Sequence, residues 1–155
     1  MTTNTSSDLT VSRIIKAPRS AVWKAWKDPD HLAKWWAPAP IVTIVKKHEF
    51  RAGGAFDTVM RMEDGTEHGG EGCFLEVIEN ERIAFTDALR GGWRPNEQAF
   101  FSAIITLEND PAGTKHTAVA LHKNAEDRQK HANMGFVDGW GTCIEQLGQL
   151  AEQLA

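Results

Sequence analysis

Three ionisable residues, His48, Glu71 and Asp87, are the candidates for chemistry in this sequence. Alternation along predicted strands places all three on the face that also carries large apolar side chains. A histidine beside a carboxylate could deprotonate a carbon acid in an aldol-type cyclisation, and burial would raise the carboxyl pKa. The same groups could instead anchor a mostly apolar ligand, pair with one another, or point outward after a register slip.

The dipeptide Asp64-Gly65 predicts how the two strands on either side of it pair, and this pairing decides which side chains point inward. Asp-Gly favours a two-residue hairpin turn, which pairs Thr58 with Glu71. A bulge at Gly69-Gly70 would instead turn Glu71 outward. The other residues of this inner face, in addition to Thr58 and Glu71, are His48, Phe50, Phe56, Met60, Cys73, Leu75, Val77, Ile83, Phe85, Asp87, Phe101, Ala103, Ile105 and Leu107.

Composition excludes several classes of function. The formal net charge is −4 without a basic cluster, which argues against nucleic acid or anionic membrane as the main partner. No apolar run approaches 18 residues, so membrane insertion is not expected. Cys73 and Cys143 are too few for a disulfide scaffold and indicate free thiols in a reducing, cytoplasmic setting. No metal-ligand spacing or phosphate-binding loop occurs, so we expect neither a metal nor a cofactor.

The order of elements predicts an α+β domain. Residues 1–8 form a polar tail that we expect to be disordered, and residues 9–155 form a single domain. A first strand precedes two short helices, which start with Pro18 at the first helical position and with the Asp28-Pro29 cap. Six further strands follow at hairpin spacing, as residues 42–50, 55–63, 67–78, 82–88, 98–108 and 115–122.

The last thirty residues predict one long helix that begins at the cap residue Asn124 and runs for roughly 40–45 Å. Four glycines lie inside it, and each costs about 1 kcal/mol relative to alanine. Gly135 and Gly139 edge one margin of the apolar stripe, while Gly141 and Gly148 edge the other. We therefore expect neighbouring backbone to approach closely on both flanks, with the seven-stranded antiparallel sheet curved around this helix and a cavity between them.

Six motifs in order resemble the START-like (SRPBCC) helix-grip superfamily, and specifically its branch homologous to the activator of the heat-shock-protein-90 ATPase. They are A-P-x-x-x-V-W-x-A-W-x-D-P-x-x-L-x-x-W-W (17–36), R-x-G-G (51–54) with D-G (64–65), G-x-F-L-E-V (72–77), I-A-F-T-D-A-L (83–89), G-W-R-P (92–95) and K-H-x-x-M-G-F-x-x-G-W (130–140). The resemblance implies a deep hydrophobic cavity under the terminal helix. It does not imply one activity, because members include carriers, cyclases and co-chaperones.

These observations predict a module that binds a hydrophobic or aromatic small molecule. The alternatives are a cyclase, dehydratase or hydrolase that uses His48, Glu71 or Asp87, and a co-chaperone that contacts a heat-shock chaperone. Val59 and Phe74, if they point outward, favour a homodimer contact. The helical wheel places His131 outside, although a helix break near Gly135 would reverse that. The expected ligand contacts are Trp35, His48, Phe56, Thr58, Met60, Glu71, Phe85, Asp87, Phe101, Phe136 and Trp140.

Overall fold

The protein contains one antiparallel sheet of seven strands and ends in two helices. The computed structural model describes residues 7–155. The elements in chain order are β1 (Asp8–Ile15), α1 (Arg19–Lys27), α2 (Pro29–Leu32), β2 (Val42–His48), β3 (Ala55–Arg61), β4 (Glu67–Ile78), β5 (Arg82–Thr86), β6 (Leu89–Arg90), β7 (Arg94–Pro95), β8 (Ser102–Asp110), β9 (Gly113–Leu121), α3 (Ala125–Asn133) and α4 (Phe136–Leu154). The large sheet has the order β1-β9-β8-β5-β4-β3-β2, and β6 and β7 form a separate small hairpin.

This architecture confirms the predicted α+β fold, with two short helices between the first two strands. Most of the predicted tail lies outside the described residues, although Asp8 already belongs to β1. Pro18 is the N-cap of α1 rather than its first helical residue, whereas Asp28 caps α2 as expected by accepting from the Asp30 N–H group at 2.8 Å. Irregularities in β2 after Val45 and in β4 after Phe74 shift the pairing locally, as β-bulges do, and bend the sheet.

The register between β3 and β4 differs by one residue from the predicted one. The turn is a three-residue loop, in which the Met62 N–H group donates to the Thr66 carbonyl at 2.8 Å and Gly65 takes a φ of +89°. Asp64 stabilises this loop by accepting from the Thr66 N–H group at 2.9 Å. A glycine with positive φ occurs in three-residue hairpins as well as in the commoner two-residue ones, so the dipeptide alone did not decide between them.

The slip changes which residues point inward. Phe56 now lies opposite Gly72, and Glu71 lies opposite Asp57 on the outer face. Phe74 replaces Cys73 on the inner face, where its ring stacks on Phe56 with centroids 4.6 Å apart. Because Phe74 is fully buried, the predicted outward contact through it is wrong.

The terminal helix is two helices, which corrects the prediction of one. Asn124 caps α3 as expected, accepting from the Asp127 N–H group at 2.8 Å. Gly135 then adopts a φ of +86°, which ends α3 and makes this residue the N-cap of α4. This left-handed conformation is cheap for glycine alone, so Gly135 is where the chain changes direction.

The four glycines at the start of α4 and within it differ in how close the neighbouring atoms lie. A Cβ at Gly141 would collide with the guanidinium of Arg13, and one at Gly148 would lie 3.5 Å from Ile15, so α4 lies close against β1. A Cβ at Gly135 or Gly139 would meet nothing within 4 Å. The expected close approach on both flanks is therefore confirmed for one flank only, and the other borders open space.

Candidate functional site

A pocket of about 480 Å³ lies between the inner face of the sheet and the α3–α4 corner. Its mouth is bordered by Gly135, Gly139 and Met134, of which Met134 is 74% exposed. Ten of the eleven residues expected to contact a ligand line this pocket, namely Trp35, Phe56, Thr58, Met60, Glu71, Phe85, Asp87, Phe101, Phe136 and Trp140.

The inner end of the pocket is built from indole and phenyl rings. The Asp28-Pro29 turn sets α2 directly after α1, which brings Trp26, Trp35 and Trp36 together with ring centroids 4.8–5.5 Å apart. The Trp35 N–H group is occupied, because it donates to the Ala25 carbonyl at 2.9 Å. All three tryptophans line the pocket, so Trp26 and Trp36 contribute to its wall in addition to the expected Trp35.

His48, the remaining expected contact, does not line the pocket. Its Nε2–H group donates to the Trp26 carbonyl at 2.8 Å, and its ring packs against Phe50, Phe56 and Phe74. Burial lowers the pKa of His48, with hydrogen bonds to the backbone acting in the opposite direction. This partly buried histidine therefore has a structural role, because it connects β2 to the end of α1.

The two carboxylates also have structural partners. Glu71 reaches the pocket rim, but its carboxylate lies 3.9 Å from the Arg90 guanidinium on the outer side of the sheet. Asp87 uses one carboxylate oxygen to accept from the N–H groups of Phe100 and Phe101 at 2.9 and 3.2 Å. The structure thus does not assemble His48, Glu71 and Asp87 into one catalytic set.

His116, which the sequence reasoning missed, is buried in the pocket wall at 1% exposure. The Trp26 indole N–H group donates to its Nε2 at 3.3 Å. Burial lowers the pKa of His116 to about 4, so its imidazole is neutral at pH 7. The alternation of β9 carried the signal, because His116 shares a face with Ala118 and Ala120, both of which are buried.

His131 also faces the pocket, contrary to the helical wheel. The break at Gly135 separates α3 from α4 and turns the His131 side chain inward, where it is 6% exposed. Its Nδ1 lies 2.8 Å from Nε2 of His122, whose own Nδ1 lies 2.7 Å from the Ser7 carbonyl. Burial, together with the neighbouring His122, lowers the pKa of His131 to about 4.

No cluster of three or more histidine, cysteine, aspartate or glutamate side chains within residues 7–155 is arranged to hold a metal ion. None of the helices in that range combines the length and apolarity needed to cross a membrane.

Comparison with known proteins finds relatives along almost the whole chain. Residues 16–152 match the family model "Activator of Hsp90 ATPase homolog 1-like protein". Protein NE0264 from Nitrosomonas europaea is 36% identical over 97% of each chain, with a TM-score of 0.92. Protein Ms6760 from Mycobacterium smegmatis is 27% identical over 94% of this chain and 91% of its own, with a TM-score of 0.80. A protein from Arthrobacter aurescens is 25% identical over 96% and 88%, with a TM-score of 0.82. No curated protein matches the chain.

Proposed function

This chain belongs to the family of Activator of Hsp90 ATPase homolog 1-like proteins, and from that premise we propose that its pocket binds a hydrophobic, aromatic small molecule. The family assignment supports ligand binding or a co-chaperone-like role without choosing a ligand. The choice of ligand binding rests on the pocket itself.

The observation that carries the proposal is the size and lining of the pocket. A volume of about 480 Å³ falls within the range of roughly 300–1,000 Å³ that is typical of small-molecule sites. Tryptophan and phenylalanine rings from α1, the segment after α2, β3, β5 and α4 surround it, and few polar groups interrupt them. A ligand buried there would gain about 25 cal/mol for each Å² of apolar surface removed from water.

The predicted enzyme alternative receives no support from the three residues first considered for it. A general acid–base pair must lie within hydrogen-bond reach of one substrate. His48 lies outside the pocket, the Glu71 carboxylate is directed to Arg90, and the Asp87 carboxylate is occupied by backbone N–H groups. A co-chaperone role would use the outer surface and would appear as stimulation of a heat-shock chaperone's ATPase by the purified protein.

Native mass spectrometry of the protein purified from its host tests the proposal, together with thermal shifts against a panel of hydrophobic aromatic compounds. We expect a co-purifying small molecule, or a rise in melting temperature with compounds of two to three fused rings. Gly139→Phe, which projects a ring into the mouth, should weaken this binding. Val137→Phe on the exposed side of α4 is the matched control and should leave it unchanged.

A protein that carries no small molecule and shows no thermal shift with any compound of the panel would remove the ligand-binding proposal. Equal effects of Gly139→Phe and Val137→Phe would show that binding occurs elsewhere than in the pocket.

A further inference from the structure

Two histidines form a hydrogen-bonded chain that ends at the pocket wall. The chain starts at the Ser7 carbonyl, which can only accept, so Nδ1 of His122 carries the proton in this 2.7 Å contact. In the neutral imidazole Nε2 of His122 is then an acceptor. The 2.8 Å contact from this atom to Nδ1 of His131 must therefore be a donation by His131.

This order of donors fixes the tautomer of His131. With its proton on Nδ1, the ring has an unprotonated Nε2 with a free lone pair. Among the described residues no hydrogen bond involves Nε2 of His131, and this residue lines the pocket, so the lone pair is available to a ligand there.

Aromatic rings surround this lone pair. The centroids of Phe100, Phe101 and Phe136 lie 5.0–5.1 Å from that of His131, and that of Trp140 lies 5.9 Å away. Two other polar side chains of the wall have protein partners: one carboxylate oxygen of Asp87 accepts from two backbone N–H groups, and the Thr86 hydroxyl accepts from Ser102 at 2.9 Å.

We propose that Nε2 of His131 is a hydrogen-bond acceptor for ligands in the pocket and that these ligands are planar aromatic molecules that carry a hydroxyl group. This inference rests on the proposed function and deepens it by naming the class of ligand. A hydroxyl group donates to the lone pair, while the ring that bears it packs among the surrounding aromatic side chains. An unsubstituted aromatic ring would leave the buried nitrogen unpaired, which is the physical basis for selectivity.

His131 acts here as an acceptor and not as a general base. Its pKa of about 4 keeps the imidazole neutral at pH 7, so the lone pair is present for a hydrogen bond. The same pKa makes the imidazole a weak base, because efficient general bases have a pKa near the operating pH. The partner of Nδ1 is a second histidine rather than a carboxylate, so this contact supplies no negative charge to stabilise an imidazolium.

Three related compounds test the inference on the wild-type protein. We expect 2-naphthol to bind about tenfold more tightly than naphthalene and 2-methoxynaphthalene, which share its ring system but lack a donor. Quenching of tryptophan fluorescence or calorimetry would measure the dissociation constants. If all three bind equally, the acceptor role is wrong while the ligand-binding proposal stands. If none binds, the inference fails, whereas the ligand-binding proposal is decided separately by the compound panel and native mass spectrometry.

Two further measurements assign the selectivity to His131. His131→Phe keeps a ring of similar size, so it should bind naphthalene as the wild type does and lose the preference for 2-naphthol. His31→Phe, the same exchange on α2 outside the pocket, should retain that preference. Nitrogen-15 spectra of the imidazoles in the unaltered protein give an independent answer, since a proton found on Nε2 of His131 would overturn the inference even if the variant does not fold.

Discussion

The indole of Trp26 donates a hydrogen bond from Nε1 to Nε2 of His116 over 3.3 Å, and the two rings lie nearly parallel, at 10°. Both side chains are buried, so the bond joins α1 to the middle of β9 through the interior. It requires an unprotonated Nε2. Protonation of His116 would turn its Nε2 from an acceptor into a donor, so that two N–H groups would face each other. The contact therefore depends on pH.

We therefore predict that the free energy of unfolding decreases as the pH falls from 7 to 4, with a contribution from His116. Its folded pKa of about 4 lies below the unfolded value of 6.5, so between these values the unfolded chain binds more protons. At 1.36 kcal/mol per pKa unit, the contribution is about 3 kcal/mol across this window. Urea titrations at pH 7 and pH 4.5 would measure it.

His116→Gln separates this contribution from that of the carboxylates. Glutamine still offers an oxygen to the Trp26 N–H group but does not titrate in the window, so this variant should lose less stability on acidification than the wild type. Asp57, whose pKa burial raises, acts in the opposite direction in both proteins and cancels in the comparison. Equal losses in the two proteins would show that His116 does not carry the effect.

Two local features, the alternation of side chains along a strand and the length of the hairpin loop, decided which residues of the site the sequence could predict. Alternation with period 2 placed Phe56, Thr58 and Met60 correctly on the inner face, because the pleat fixes the direction of successive side chains. It could not place Glu71 and Phe74, since the length of the loop around Asp64-Gly65 decides the register and the dipeptide fits two lengths.

The histidines were harder to place for a different reason. The position of His131 depends on whether Gly135 continues the helix or takes a left-handed conformation, and both are open to glycine. The conformation observed at Gly135 lets His131 pack against Phe100 and Phe101, which lie far from it along the chain. The contact between Trp26 and His116 spans 90 positions, and no local pattern reports such a pairing.

Asp87 is predicted to be a structural acceptor rather than a catalytic residue. Its carboxylate holds the N–H groups of Phe100 and Phe101, and bonds to a charged group contribute about 1.5–3 kcal/mol. Asp87→Ala should lower the free energy of unfolding by roughly this amount, and Asp87→Asn should lower it less because the amide oxygen still accepts. Urea unfolding of the two variants would show this order, and equal losses would contradict the acceptor role.

Gly135 and Gly139 should respond oppositely to the same substitution. Neither position has an atom within 4 Å of an added Cβ, so only the backbone distinguishes them. Gly139→Ala should stabilise the protein by up to about 1 kcal/mol, because Gly139 lies within α4. Gly135→Ala should destabilise it by about 1–2 kcal/mol, because alanine is strained at a φ of +86°. Melting temperatures of the pair would test this, and shifts of the same sign would contradict it.

Cys143 should be unreactive although it lines the pocket. Burial raises the pKa of its thiol from 9.0 to about 12, and the Sγ–H group donates to the Trp36 carbonyl at 3.4 Å. Because only the thiolate attacks, alkylation by iodoacetamide at pH 8 should be roughly a hundredfold or more slower than in urea. Cys73→Ala removes the other thiol, so the rate reports Cys143 alone. A native rate within tenfold of the rate in urea would mean that the pocket opens to water around this residue far more often than its packing indicates.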